Sequence, residues 1–208
     1  MDNTARSERT RNTVIQAALA IIARDGAGRL TLDAIAKEGG ISKGALMHHF
    51  RTKEAVLKAL MEHQMQDFAA VFEQIRAAQA ADQPLPVLTS EIATLRSTLS
   101  HPNSVAFAVM GAVAQDPSLL GPTRAHDATR VAAIQEEAED QDLSTLRWAA
   151  ARGLALTSLL GLCPLGEEER GRLFDQLMDH TRWAALARPT SPTAGRKRKA
   201  SAPASSST

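Results

Sequence analysis

The sequence predicts an all-α protein of about nine helices, and three observations carry that expectation. Apolar residues make up 44% of the 208-residue chain, while aromatics make up only 3% and tyrosine is absent. The core must therefore be built from Ala, Leu, Ile, Val and Met, a composition that favours helix over sheet. Those apolar residues recur at helical spacing. Capping residues (Thr31, Ser42, Thr52) and Gly or Pro breaks punctuate the recurrence. The chain is long enough for one large domain, or for a small one joined to a medium one.

The first helix is expected over about residues 7–25, with Val14, Ile15, Ala18, Leu19 and Ile22 on one stripe and Gly26 as its stop. Arg6, Arg9 and Arg11 crowd its start, where cations oppose the helix dipole. Phosphate contact and plain solubility are the two readings open for them. Thr31 then caps a short helix carrying Leu32, Ile35 and Ala36, and Gly39-Gly40 end it. Ile41 plugs a tight turn. Ser42 caps a third helix whose inward face is Ala45, Leu46 and Phe50 and whose other side shows Lys43, Gly44, Met47 and His48. Two short helices joined by a tight turn, the second with small residues near its N-terminus and donors around them, suit the DNA major groove.

This stretch resembles the N-terminal domain of TetR-family (tetracycline-repressor-like) transcriptional regulators. The likeness rests on Gly26, Thr31, Ile35-Ala36, Gly40-Ile41-Ser42, Gly44, Leu46, His49-Phe50, Lys53 and Leu57, in that order, over about residues 6–60. It implies an N-terminal three-helix helix-turn-helix domain (residues 1–53) and a larger C-terminal helical domain for dimerisation and ligand binding (residues 54–188). It also implies that His49 and Lys53 bind phosphate. Thr31 and Ser42 lie at helix N-termini that face anions, and Lys43, Ala45 and His48 are the candidate base contacts, with Gly44 allowing close approach. The sequence departs from the family at Met47, where tyrosine is usual: a thioether cannot donate to phosphate. Asp33 is a second departure, an acid placed near the groove.

Beyond the motif, Thr52 is expected to cap a long fourth helix over about residues 53–81, broken by Pro84-Leu85-Pro86. Helices follow over about residues 87–100, 103–115 and 117–139, the last kinked near Gly121-Pro122. The final pair, about residues 143–162 and 167–188, is the most apolar and is joined by Cys163-Pro164-Leu165-Gly166. In a family member that hairpin would pair with its twin in a homodimer; burial within one monomer is the other reading. From Pro189 the composition turns Ser/Pro-rich around Arg196–Lys199, which predicts a disordered basic tail.

Charge is uneven along the chain. Residues 1–53 hold nine Lys/Arg against five Asp/Glu, residues 54–188 eleven against eighteen, and residues 189–208 four against none. A basic head on an acidic body suits a protein whose head alone meets a polyanion.

In the body, Met61, Met65, Phe68, Phe72, Phe107, Met110 and Trp148 are candidates to line an apolar ligand pocket or to be ordinary core. Arg96 and Arg152 would meet an acidic ligand or pair with neighbouring acids. Sequence neighbours His48 and His49 point about 100° apart on a helix and do not make a metal site. No phosphate loop, nucleophile elbow or zinc-spaced cluster supports an enzyme, and no cofactor is called for. A single cysteine, the lack of any stretch of about 20 apolar residues and a polar N-terminus predict a cytoplasmic protein with no membrane partner. The expected function is a ligand-responsive repressor that binds a palindromic DNA operator as a homodimer and is released by an unidentified small-molecule effector. The rival is a helical DNA-binding architectural or co-regulator protein with no effector.

Overall fold

Capping chemistry decides where most of the helices in the computed structural model begin. It describes residues 3–100, 113 and 117–187. Helix α1 (Asn3–Asp25) starts four residues before its expected position, so Arg6 and Arg9 ride on its exposed surface rather than at its end. It stops at Gly26, whose φ of 80° is cheap for glycine alone. Helices α2 (Leu32–Glu38), α3 (Lys43–His49) and α4 (Lys53–Ala77) begin as their caps predict. The hydroxyl oxygens of Thr31, Ser42 and Thr52 accept from the backbone N–H of Ala34, Ala45 and Ala55, each at 3.1 Å.

These four helices enclose a first core. Val14, Ile15, Ala18 and Ile22 of α1 meet Ile35 of α2, Leu46 and Phe50 at α3, and Val56, Leu57 and Leu60 of α4. Gly39 lets the end of α2 close on α1: a Cβ there would lie 3.2 Å from a methyl carbon of Thr13 and 3.5 Å from Ala17 Cβ. Arg24 of α1 fastens the same end by donating to both carboxylate oxygens of Glu38 at 3.2 and 3.0 Å.

A second core is built from α5 (Pro86–Ser97), α6 (Gly121–Glu137), α7 (Gln141–Leu159) and α8 (Glu167–Met178), with Phe72 reaching in from α4. The expected helix over 103–115, with Phe107 and Met110, lies outside the described residues. A 3-10 turn, Pro117–Leu120, precedes α6, in keeping with the break read at Gly121-Pro122. Leu119 of that turn packs against the first core.

Two helix ends are finished by distant side chains. Helix α5 follows Leu85, which sits at φ 46° and offers no side-chain cap. Glu137 of α6 supplies it, its two carboxylate oxygens accepting from Val87 and Leu88 N–H at 2.9 and 2.8 Å. The helix expected over 167–188 is divided. Helix α8 ends at Met178 and a short α9 (His180–Ala184) starts anew. Asp179 makes the break by taking an extended conformation and capping α9 through Arg182 N–H. Arg147 of α7, buried to 2% exposure, stabilises the severed end by donating Nε and Nη2 to the Leu177 carbonyl at 2.9 and 2.6 Å. Leu173 and Leu177 on α8 and Thr181 and Ala184 on α9, spaced as one row over 167–188, are therefore not on one helical face.

His126 and His180 are both held below the usual 6.5, first by burial and then by arginines: Arg130 near His126 and Arg147 near His180, with the charges of Asp127 and Asp179 opposing. A depressed histidine is neutral when folded and protonates on unfolding. Its stabilising contribution is present above the ordinary value and fades as pH falls through it. Denaturant unfolding at about pH 7.5 and about pH 5.5 should therefore show lower stability at the acid end. Buried Glu91, whose carboxyl is raised, titrates in the opposite sense, so the histidine part is read as the difference abolished by His126→Gln with His180→Gln. For Glu137→Ala we expect a loss of about 1–3 kcal/mol of unfolding free energy, since two N–H groups at α5 lose their acceptor.

Candidate nucleic-acid interface

Helix α3 owes its orientation to two residues. Leu46 is fully buried and Phe50 is 6% exposed, both locked into the first core against α1. That fixes the rest of the helix by periodicity. Lys43, Gly44, Ala45, Met47 and His48 are exposed together, and His49 is half-exposed beside them. Ala45, placed inward by the sequence reading, lies on the outer side. Thr31 and Ser42 are exposed at the starts of α2 and α3, and Lys53 opens α4.

The chemistry of this surface is that of a donor face with one bare spot. His48 and His49 lie edge to face with ring centroids 5.2 Å apart. Lys43 Nζ reaches Asp33 Oδ1 on α2 at 2.8 Å, and both side chains are well exposed. The acid that looked out of place near a groove is thus neutralised by the lysine next to it. An exposed pair of this kind contributes little, typically under about 1 kcal/mol, so the lysine can be recruited by another anion at small cost. Met47 presents 41% of its surface, a large apolar side chain left in water at the centre of the face. At Gly44 a Cβ would meet only Ser42 Oγ, at 4.0 Å. The protein's own packing makes no demand for glycine there.

The start of α1 lies across from α3. Thr4, Arg6, Ser7 and Thr10 face Ala45, His48 and His49 across a polar cleft of about 530 Å³. Exposed Arg6 and Arg9 add positive charge on this side, whereas Arg11 is engaged with Glu62 of α4 at 3.0 Å.

The body candidates do not gather in one place. Phe68 and Arg152 line a 670 Å³ pocket between α4, α5 and α7, together with Val71, Leu95, Leu156 and Leu159. Arg152 also pairs with Asp127 at 2.7 Å and lies 5.7 Å from the Trp148 ring. Phe72 is sealed in the second core beneath the Arg130 guanidinium, 3.5 Å above its ring. Met61 is buried in α4, and Met65 accepts from the Thr123 hydroxyl at 3.8 Å. Arg96 is held by Asp175 in a separate cleft. Phe107 and Met110 lie outside the described residues.

Sequence reasoning missed Glu91. It is fully buried on α5, 3.2 Å from Arg130 Nε, and burial raises its carboxyl above the usual range against the pull of Arg130 and Arg152. A charged residue at a core position of an amphipathic helix was the available signal. Cys163 is half-buried in the α7–α8 turn, and the Leu165 backbone N–H, with Ser158 and Thr157, draws its thiol below the ordinary range. Among the described residues no group of three or more His, Cys, Asp or Glu is arranged to hold a metal, and no helix is long and apolar enough to cross a membrane.

A long first helix followed by two seven-residue helices, with a polar face on the third, defines a helix-turn-helix protein. Residues 14–60 match the family described as bacterial regulatory proteins, tetR family, and residues 91–182 match the tetracyclin repressor-like C-terminal domain. The chain belongs to the TetR family of transcriptional regulators, and not to a family of enzymes. Over 57 residues it is 40% identical to the HTH-type transcriptional regulator SrpR of Pseudomonas putida, a match spanning 27% of each chain. It is 39% identical over 57 residues to TtgW of the same species, covering 42% of that protein. The match thus spans well under two thirds of either relative. The fold as a whole is similar to a TetR regulator of Haloarcula marismortui (TM-score 0.68, 15% identity, 86% of this chain and 98% of that one). It is also similar to the multidrug binding protein EbrR solved with imidazole (0.57, 23% identity, 80% and 93%).

The open Gly44 separates folding from binding. Gly44→Ala should leave the melting temperature unchanged or raise it, since alanine favours an exposed helix position by about 1 kcal/mol. In the same variant DNA affinity should fall, as a methyl group intrudes where a partner's surface approaches. Ser42→Ala should do the reverse in order of cause, lowering stability by about 1 kcal/mol through the lost cap.

Proposed function

We propose that this protein is a cytoplasmic, ligand-responsive transcriptional repressor that binds a palindromic DNA operator as a homodimer. The observation that carries the reading is the exposed face of α3, a row of donors around a glycine its own fold does not require. On this reading residues 1–53 form the DNA-binding unit, residues 54–188 the dimerisation and ligand-binding unit, and residues 189–208 a basic tail.

The division of labour at the DNA follows from side-chain chemistry. Thr31, Ser42, His49 and Lys53 take phosphates, which give affinity without sequence information. Lys43 donates to guanine O6 or N7, and the Ala45 and Met47 side chains touch thymine methyls. His48 donates to a base edge. Met47 is thus an apolar reader in the place where the family commonly has a phosphate donor.

Dimerisation is assigned to α7 and α8. Leu146 and Leu156, two to three turns apart on α7, are 59% and 51% exposed, with Ala149, Ala150 and Gly153 exposed between them. An apolar stripe with small residues at its middle suits close packing against a second copy. The effector is assigned to the apolar pocket holding Phe68 and Arg152. EbrR, which shares the fold, has been solved with both imidazole and ethidium. A ligand there would act through α4, which runs from the DNA-binding unit into the body, and could shift operator occupancy only by its differential affinity for the two head spacings.

Selection of bound sequences from a random DNA pool at physiological salt tests the whole reading. A two-fold symmetric motif is expected. Binding that fades as salt rises, with no motif recovered, would leave only phosphate attraction and would favour an architectural role. With the operator in hand, Lys53→Ala should weaken binding to all sequences and reduce the salt slope by about one unit. Lys43→Ala should instead relax base preference. Leu156→Glu should convert the dimer to monomer in sedimentation velocity.

A further inference from the structure

We propose a second ligand site, distinct from the pocket between α4, α5 and α7: a recess at the α8–α9 break that binds a small aromatic or branched aliphatic monocarboxylic acid, its carboxylate against Arg147. The recess has a volume of about 630 Å³, and Leu85, Leu143, Arg147, His180, Trp183 and Ala184 are among the residues lining it.

The argument starts from an unbalanced charge. Arg147 is 2% exposed, yet its guanidinium has no carboxylate partner among the described residues. Arg130 and Arg152, half-buried in the body, are in ion pairs, with Glu91 at 3.2 Å and Asp127 at 2.7 Å, whereas half-buried Arg170 donates to the Leu165 carbonyl at 2.7 Å. Asp179, the acid whose charge Arg147 feels, spends its side chain on the N-terminus of α9. Burial draws the Arg147 pKa down to about 10, the mark of a cation held where charge is costly. Leu177 offers one carbonyl, which occupies Nε and Nη2 and supplies a partial negative charge. Neither of these bonds uses Nη1, and the residue lines the recess. A carboxylate there would balance the charge, and charge-assisted bonds to arginine are among the strong ones.

The remaining walls say what the carboxylate is attached to. Trp183 is half-buried, its indole N–H committed to the Gln176 carbonyl at 2.7 Å and its ring 5.6 Å from the Arg147 guanidinium. Leu85 and Leu143 complete an apolar surface for a ring or a branched chain. The rim carries Glu137, Glu139 and Asp140. Glu137 is occupied by Val87 and Leu88 N–H, and Asp140 by Leu143 N–H. Their negative charge admits a monoanion more readily than phosphate. His180, held by Thr89 at 2.8 Å, is drawn below its ordinary pKa by burial and by the Arg147 charge.

Trp183 makes the test direct. In the full chain carrying Trp148→Phe, Trp183 is the sole indole, and its fluorescence reports on the recess. Titration with 4-phenylbutyrate should give a saturable change, with affinity at least about tenfold above that for 4-phenyl-1-butanol, which has the same body without the charge. Arg147→Gln should erase that preference. Because this variant also loses the contact that closes α8, Ala184→Phe provides a second arm: it fills the recess from an exposed position and should abolish the titration with the fold intact. Equal affinity for acid and alcohol, an undiminished titration in Ala184→Phe, or no saturable change with either compound would each overturn the proposal.

Discussion

Helix α4 contributes to two hydrophobic cores at once, and the rest of the structure is arranged around that constraint. Val56, Leu57 and Leu60 close the first core, and Phe72, three to four turns later, closes part of the second. A helix of 25 residues is a stiff connection of roughly 37 Å. It cannot be displaced at one end without disturbing packing at the other. Leu119 reinforces the connection from the body side by packing on the first core, and Arg11 does so from α1 through Glu62. Close-packed interiors do not deform smoothly, so two cores sharing one rod form a unit suited to a small number of discrete arrangements.

Polar side chains do different work in the two halves. In the first, the N-termini of α2, α3 and α4 are finished locally by hydroxyl caps. In the second, polar groups are turned inward and used across elements. Glu137 finishes α5, Arg147 finishes α8, and Glu91 sits wholly buried beside Arg130. Buried charge is costly unless paired. Its repeated use in the body makes the relative positions of α5, α6, α7 and α8 specific rather than merely apolar. Arg147 stands apart in its burial: it is 2% exposed, and its hydrogen bonds go to a carbonyl rather than a carboxylate.

Much of the first half was legible in the sequence. Caps are local: Thr31, Ser42 and Thr52 bond to N–H groups three residues on, so reading them requires no knowledge of the fold. The same holds for Gly26, and for the turn at Gly40, where φ is 60°. Once Leu46 and Phe50 are read as inward, the exposure of Lys43, Gly44, Met47 and His48 follows from the helical period. The tetR-family motif was recognisable for the same reason, being a string of local requirements in a fixed order.

What the sequence alone could not decide depends on partners far apart in the chain. The break at Asp179 needs Arg147, about thirty residues earlier, to donate to the orphaned Leu177 carbonyl. Without that partner, the periodicity of 167–188 reads as one helix. The cap on α5 comes from Glu137, about fifty residues later. The pairing of Asp33 with Lys43 turns an apparent conflict at the exposed face of α3 into a neutral contact, and it depends on the angle between α2 and α3. The body residues grouped by apolar character were dispersed by packing, with Phe72 sealed in the core and Phe68 left at a pocket wall. Local chemistry determined where helices start and which face turns inward, because those depend on neighbours within one turn. Tertiary structure decided which buried charges meet and which cavities remain, because those depend on side chains that only folding brings together.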